Sequence, residues 1–96
     1  MEEPEPEPVR LSVTDELDLH TFRPSEVSDL IREYLAECRA AGILSVRIIH
    51  GKGSGTLRTG VHHLLRELPE VAEIIWPLDA GSGSWGATRV RLHPPV

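Results

Sequence analysis

The segment His50-Gly51-Lys52-Gly53-Ser54-Gly55 constrains this chain more than any other stretch, because it joins two patterns that cannot belong to one element. Before it runs Val46-Arg47-Ile48-Ile49, an extended apolar run; after it come Leu57, Val61, Leu64, Leu65 and Leu68 at helical spacing. Three glycines at alternate positions suit a sharp strand-to-helix turn whose backbone N–H groups point outward at the start of the helix. Those groups lack intrahelical partners and sit at the positive end of the helix dipole, so the turn can receive an anion. Lys52 adds a full positive charge, and His50 adds a group that exchanges a proton near neutral pH. The pattern predicts a phosphate-bearing ligand. Neither familiar phosphate motif fits: Gly53 follows Lys52 where a Walker loop needs Ser or Thr, and G-x-G-x-G replaces the dinucleotide fingerprint. A chain of 96 residues also lacks room for a two-halved dinucleotide-binding sheet.

The rest of the chain reads as three further strands and one further helix. Glu16-Leu17-Asp18-Leu19-His20 alternates strictly, with Leu17 and Leu19 on one face and Asp18 and His20 on the other. Pro24 suits the first helical position; Val27, Leu30, Ile31, Leu35 and Cys38 follow helical spacing, and Gly42 offers a left-handed stop. A second strand spans 45–50, a helix 56–68 ends before Pro69, a third strand spans 71–78, and a Gly/Ser-rich turn covers 79–86. The fourth strand, 87–92, alternates Thr88, Val90 and Leu92 against Arg89 and Arg91. This β-α-β-α-β-β order, with its short connections, predicts three strands running in one direction, both helices on one face and a final hairpin. The expected fold class is α/β, a two-layer sandwich with a four-stranded mixed sheet.

Charge matters only once it is located. The formal net charge is −5, but Glu2, Glu3, Glu5 and Glu7 alternate with Pro4, Pro6 and Pro8 in a segment that cannot pack. Residues 1–8 read as a disordered acidic leader and 9–96 as a single domain with eleven acidic and ten basic side chains. Nine of those ten are Arg, the better fork for phosphate. Bulk charge therefore neither selects nor excludes a polyanionic partner, and clustering decides. The lone Cys38 excludes an internal disulfide and reads as a small core residue. No apolar run approaches the roughly 20 residues of a membrane span. The acidic start is unlike a secretory signal, so a cytoplasmic location and no membrane partner are expected.

The topology brings Asp18 to His20, His50 to Gly55, and Gly81 to Thr88 to one edge of the sheet, where open α/β sheets bind ligands. Were the phosphate-bearing ligand a nucleic acid, cleavage of its phosphodiester would need an activated oxygen nucleophile, charge stabilisation at phosphorus and a proton for the leaving oxygen. Asp18 and His20 point the same way: Asp18 can orient the imidazole or help hold a divalent ion, and His20 can act as general base or acid. His50, Lys52 and the N–H groups around Gly51, Gly53 and Gly55 can bind the phosphate. With no dense carboxylate cluster, the residues lean toward a metal-independent route on RNA, in which His20 deprotonates a 2′-OH. On DNA, a water activated by a divalent ion, Mg or Mn, is the counterpart. Arg89 and Arg91 read as a basic stripe on the helix-free face with Arg47 as neighbour, and His62 and His63 as helix-surface residues. Trp85 has two readings, a platform for a base or a cover over the core rim, while Trp76 and Phe22 read as packing residues.

Taken in order, Leu17-Asp18-Leu19-His20, His50-Gly51-Lys52-Gly53 and Gly83-Ser84-Trp85-Gly86-Ala87-Thr88 resemble the three motifs of the Smr (small MutS-related) domain, over about residues 16–92. The resemblance implies a fold similar to the C-terminal domain of translation initiation factor three and endonuclease activity on RNA or DNA. It also implies that Asp18 and His20 belong to the cleavage site and that the His50–Gly53 loop binds the nucleic-acid backbone. Thr21 stands where a glycine is usual after the first motif. The MutS ATPase portion is absent from this sequence, so mismatch recognition is not implied. The expected function is a stand-alone endonuclease. The alternatives are a nucleic-acid-binding module without cleavage and a protein-interaction domain, for instance on the ribosome; the oligomeric state is open.

Overall fold

The computed structural model describes residues 13–96, so the reading of residues 1–8 as a leader lies outside the described residues. Its elements are β1 (Glu16–Asp18), α1 (Pro24–Ala40), β2 (Ser45–Ile49), α2 (Thr56–Glu67), β3 (Val71–Ile75), two 3-10 turns (Ala80–Ser82 and Ser84–Gly86) and β4 (Ala87–Leu92). The sheet order is β1-β2-β4-β3. β1 runs parallel to β2, and β4 runs antiparallel to both β2 and β3. The first three strands therefore share a direction, as their connections predict, and the last strand fills the gap between β2 and β3.

Two strands are shorter than the alternation suggests. β1 ends at Asp18, and only Leu19 still donates into the ladder, to the Ile49 carbonyl at 2.9 Å. The chain then turns, with the Phe22 N–H bonded to the Leu19 carbonyl at 3.1 Å, so His20 sits in a turn rather than on a strand. β3 stops at Ile75 because Pro77 has no N–H for a ladder; the Leu78 N–H goes instead to the Ser84 carbonyl at 2.9 Å. The helices match their signals. Pro24 occupies the first turn of α1, and Gly42, with φ of +78°, lets the chain leave it while Ile43 N–H bonds the Cys38 carbonyl at 2.8 Å.

The core lies between the helices and one sheet face. α1 contributes Val27, Ile31, Tyr34, Leu35 and Cys38, and α2 contributes Val61, Leu64 and Leu65; Val46, Ile48, Val90 and Leu92 meet them from the sheet. Both helices therefore cover the same face. Arg47 and Arg89 are register partners on the other face, yet they are not free to repel. Arg47 pairs with Glu16 and donates to the Ser82 carbonyl at 2.8 Å, which ties the 79–86 turn to the sheet; Arg89 donates to Ser45 Oγ at 3.1 Å.

This division predicts unequal costs. Leu35→Ala should destabilise the domain by about 2–5 kcal/mol through the cavity it leaves. Arg91→Ala, at an exposed position, should change stability by no more than about 0.5 kcal/mol. Equilibrium urea unfolding measures both, and similar losses would contradict the assigned core.

Candidate cleavage site at the sheet rim

One carbonyl stitches the rim together. Gly86 C=O accepts from both His50 N–H, at 3.0 Å, and Gly51 N–H, at 2.9 Å, so the turn after β2 is bound to the turn before β4. The Leu19–Ile49 bond sets the end of β1 beside the same place. The packing is tight at two glycines. A Cβ on Gly86 would lie 3.3 Å from Lys52 Cγ, and one on Gly51, where φ is +86°, would lie 3.1 Å from His20 Nε2. All three segments expected at this edge meet there.

Asp18 and His20 form a tight pair. Asp18 Oδ1 lies 2.6 Å from His20 Nδ1 and accepts the His20 backbone N–H at 2.9 Å. That backbone bond is the main cause that holds the Asp18 carboxyl below the usual carboxylate range; desolvation opposes it, and the imidazole contact adds to the lowering. In the neutral ring, an ionised Asp18 selects the tautomer with the proton on Nδ1, in which Nε2, facing Gly51, is the acceptor. Both side chains are more than half exposed, so a bound strand can reach them.

The His50 ring does something different from what the sequence suggests. It is buried, with Nδ1 3.0 Å from the Gly51 carbonyl and Nε2 2.8 Å from Thr88 Oγ1. His62 Nε2 reaches the same hydroxyl at 2.7 Å. With both rings neutral, one ordering satisfies all three bonds: His62 Nε2–H donates to Thr88 Oγ1, the Thr88 O–H donates to His50 Nε2, and His50 Nδ1–H donates to Gly51 C=O. Burial is the main cause that pushes both imidazoles below their ordinary value, which keeps them neutral at pH 7. Two expectations are corrected. His50 has no free ring nitrogen to offer a phosphate, and His62 is an interior residue of α2 rather than a surface one; His63 alone faces out, 3.2 Å from Glu67. One signal could have found His62. Thr88 shares the inward face of β4 with Val90 and Leu92, and a hydroxyl buried there requires a polar partner.

The inward-turned ring still shapes the loop. A trans peptide points its C=O and N–H in opposite directions, so a Gly51 carbonyl held by His50 aims the Lys52 N–H away from the interior. Among the described residues, the N–H groups of Lys52, Gly53, Ser54 and Gly55 have no backbone partner. α2 begins after Gly55, at φ of +86°, with no side-chain cap and no acidic residue in its first turn. Those open donors, with the exposed Lys52, make a positive cradle beside His20. Arg89 and Arg91 do not join it. They lie on the helix-free face, and Arg91 is four residues along β4 from Ala87, about 13 Å from the rim. Among the described residues, no three His, Cys, Asp or Glu side chains gather to hold a metal ion.

Fold and rim together define a small α/β domain with an Asp-His pair beside an open helix start. The chain belongs to the Smr domain family, whose model matches residues 17–93. Endonuclease MutS2 of Halalkalibacterium halodurans is 48% identical over 83 residues, covering 84% of this chain and 10% of that protein. The chain thus spans about a tenth of the length of the curated MutS2 relatives it matches. Among solved structures, the Smr domain of Thermus thermophilus MutS2 is similar, with a TM-score of 0.77 and 33% identity over 84% of this chain and 100% of the other. YdaL, a stand-alone small MutS-related protein from Escherichia coli, gives a TM-score of 0.74 and 27% identity over 81% of this chain and 63% of its own.

The buried histidines make stability depend on pH. Their folded values lie below the unfolded one of about 6.5, so the unfolded chain binds more protons as pH falls through that region. Stability should be fully present above about pH 7 and decline as pH drops below about 6.5. In His62→Gln the decline should be shallower. Urea midpoints across this range check it, and an equal slope in both proteins would mean that His62 is not a buried neutral group.

Proposed function

We propose that this domain cleaves phosphodiester bonds in nucleic acid, with His20 moving the proton and Asp18 holding it in the active tautomer. The observation that carries the reading is the 2.6 Å Asp18–His20 contact, which leaves Nε2 beside a loop of open N–H groups and Lys52. The naming of similar MutS2 proteins as endonucleases supports the same chemistry. The cradle takes the phosphate, because its donors are fixed before the ligand arrives and need no reorganisation.

On RNA the pair suffices for proton abstraction. His20 Nε2 takes the 2′-OH proton, the O2′–P bond forms as P–O5′ breaks, and solvent water supplies the proton to the leaving 5′-oxygen. The products are a 2′,3′-cyclic phosphate and a 5′-OH. Charge on the phosphoryl oxygens falls on the loop N–H groups and Lys52. Of the residues here, Asp18 would hold a divalent ion such as Mg or Mn, through the Oδ2 atom that His20 does not engage. When bound, it would supply an activated water for DNA.

Matched RNA and DNA strands, each with and without chelator, test the reading. Wild-type protein should cut at least one of them, and Asp18→Ala and His20→Ala should each lower the rate by about 10²–10⁴-fold with binding little changed. Cleavage of RNA that survives chelator and stops with 2′-deoxy substitution assigns the O2′ route. Binding without cleavage by the wild type would instead make the domain a recognition module. Folded variants that cut at the wild-type rate would remove Asp18 and His20 from the chemistry.

A further inference from the structure

Running from the glycine loop to the turn before β4 is a second feature that the proton chemistry does not use. Four rings form an edge-to-face ladder: His50 and His62 at 5.9 Å between centroids, His62 and Trp76 at 5.4 Å, Trp76 and Trp85 at 4.9 Å. The ladder starts in the core and ends in solvent, where Trp85 is 54% exposed. Trp76 is already occupied. Its indole N–H donates to the Trp85 carbonyl at 3.0 Å, and the Arg58 guanidinium stacks on its ring at 4.3 Å. The Trp85 backbone is tied to Trp76, and its ring is still open. Whichever ring of that pair supplies the edge, at least one face of the Trp85 indole has no aromatic partner.

Its surroundings carry the charge that a nucleotide needs. Gly86 follows Trp85 and packs directly against Gly51 and the Lys52 side chain. Arg58, stacked on Trp76, also fills the space beside Gly55. A single exposed indole is unremarkable on most surfaces. This one rests edge-to-face on Trp76, which itself carries the Arg58 guanidinium, and it precedes Gly86, which lies against Lys52 at the edge of the phosphate cradle.

We infer that Trp85 is the stacking platform for an unpaired base next to the phosphate bound at Lys52, which makes the rim selective for single-stranded nucleic acid. The inference rests on the nucleic-acid reading of the rim. A base inside a duplex has both faces covered by its neighbours, so only an unpaired base can offer its face to the indole. A stacked base also accounts for an aromatic group placed so close to the cradle without contributing to its hydrogen bonds.

The test uses His20→Ala protein, so that strands remain uncut, and fluorescence anisotropy with a short labelled oligouridylate, alone and paired with oligoadenylate. Adding Trp85→Ala should weaken single-strand binding roughly tenfold, within the range for loss of one base–aromatic stack, and duplex binding by less than about twofold. Trp85→Phe should restore most of the single-strand affinity. Unfolding midpoints of each variant show whether the 79–86 turn has survived. Equal losses on both substrates, or no loss on either, would overturn the platform. Failure of the His20→Ala protein to bind any strand would sink the nucleic-acid reading itself, a separate result from a platform that proves dispensable.

Discussion

The Thr88 hydroxyl, fully buried between two imidazoles, is the contact on which the rim depends. It joins β4, α2 and the glycine loop at a point where no water is needed to satisfy them. No buried side-chain polar atom among the described residues lacks a partner, and this hydroxyl satisfies two ring nitrogens at once. Removing it would strand those nitrogens, a cost of about 1–3 kcal/mol for each unsatisfied group. The consequence reaches the surface through one peptide plane. His50 draws the Gly51 carbonyl inward, and the Lys52 N–H is thereby turned out.

The same arrangement separates two kinds of work. His20 Nε2 approaches Gly51 so closely that a Cβ there would crowd the ring. Lys52 follows Gly51 directly, and Gly86, next to the tryptophan pair, packs against both. Gly51 is central to this layout because its positive φ favours glycine and a Cβ there would crowd His20. The Gly86 carbonyl, accepting from two successive N–H groups, fixes the spacing between the two turns. Placing one polar pair at a strand end and another group of residues at a helix start is what a sheet with parallel strands allows, since those ends share an edge.

Much of this was legible in the sequence. The alternation of Thr88, Val90 and Leu92 against Arg89 and Arg91 is realised over Ala87–Leu92, and the glycine loop lies between a strand and a helix as its flanks require. Strand order was not legible, because nothing local says that β4 enters between β2 and β3 rather than extending the edge. The role of His50 was not legible either, and that of His62 only indirectly, through the polar partner that an inward-facing Thr88 calls for. A histidine beside a glycine loop and a histidine beside another on a helix both resemble surface groups. Only the pairing of Ile48 with Thr88 in the sheet puts the hydroxyl under both rings. Arg47 shows the reverse case: it was read as one of a basic stripe, yet Glu16 and the Ser82 carbonyl hold it.

The central claim is that the loop from Lys52 to Gly55, turned outward by the buried histidines, is where the phosphate sits. Backbone amide chemical shifts of isotope-labelled His20→Ala protein, followed during titration with a short oligonucleotide, test it most directly. The account predicts that the largest changes fall on the amides of Lys52, Gly53 and Gly55. Changes confined to Arg47, Arg89 and Arg91, with the loop amides unmoved, would contradict it.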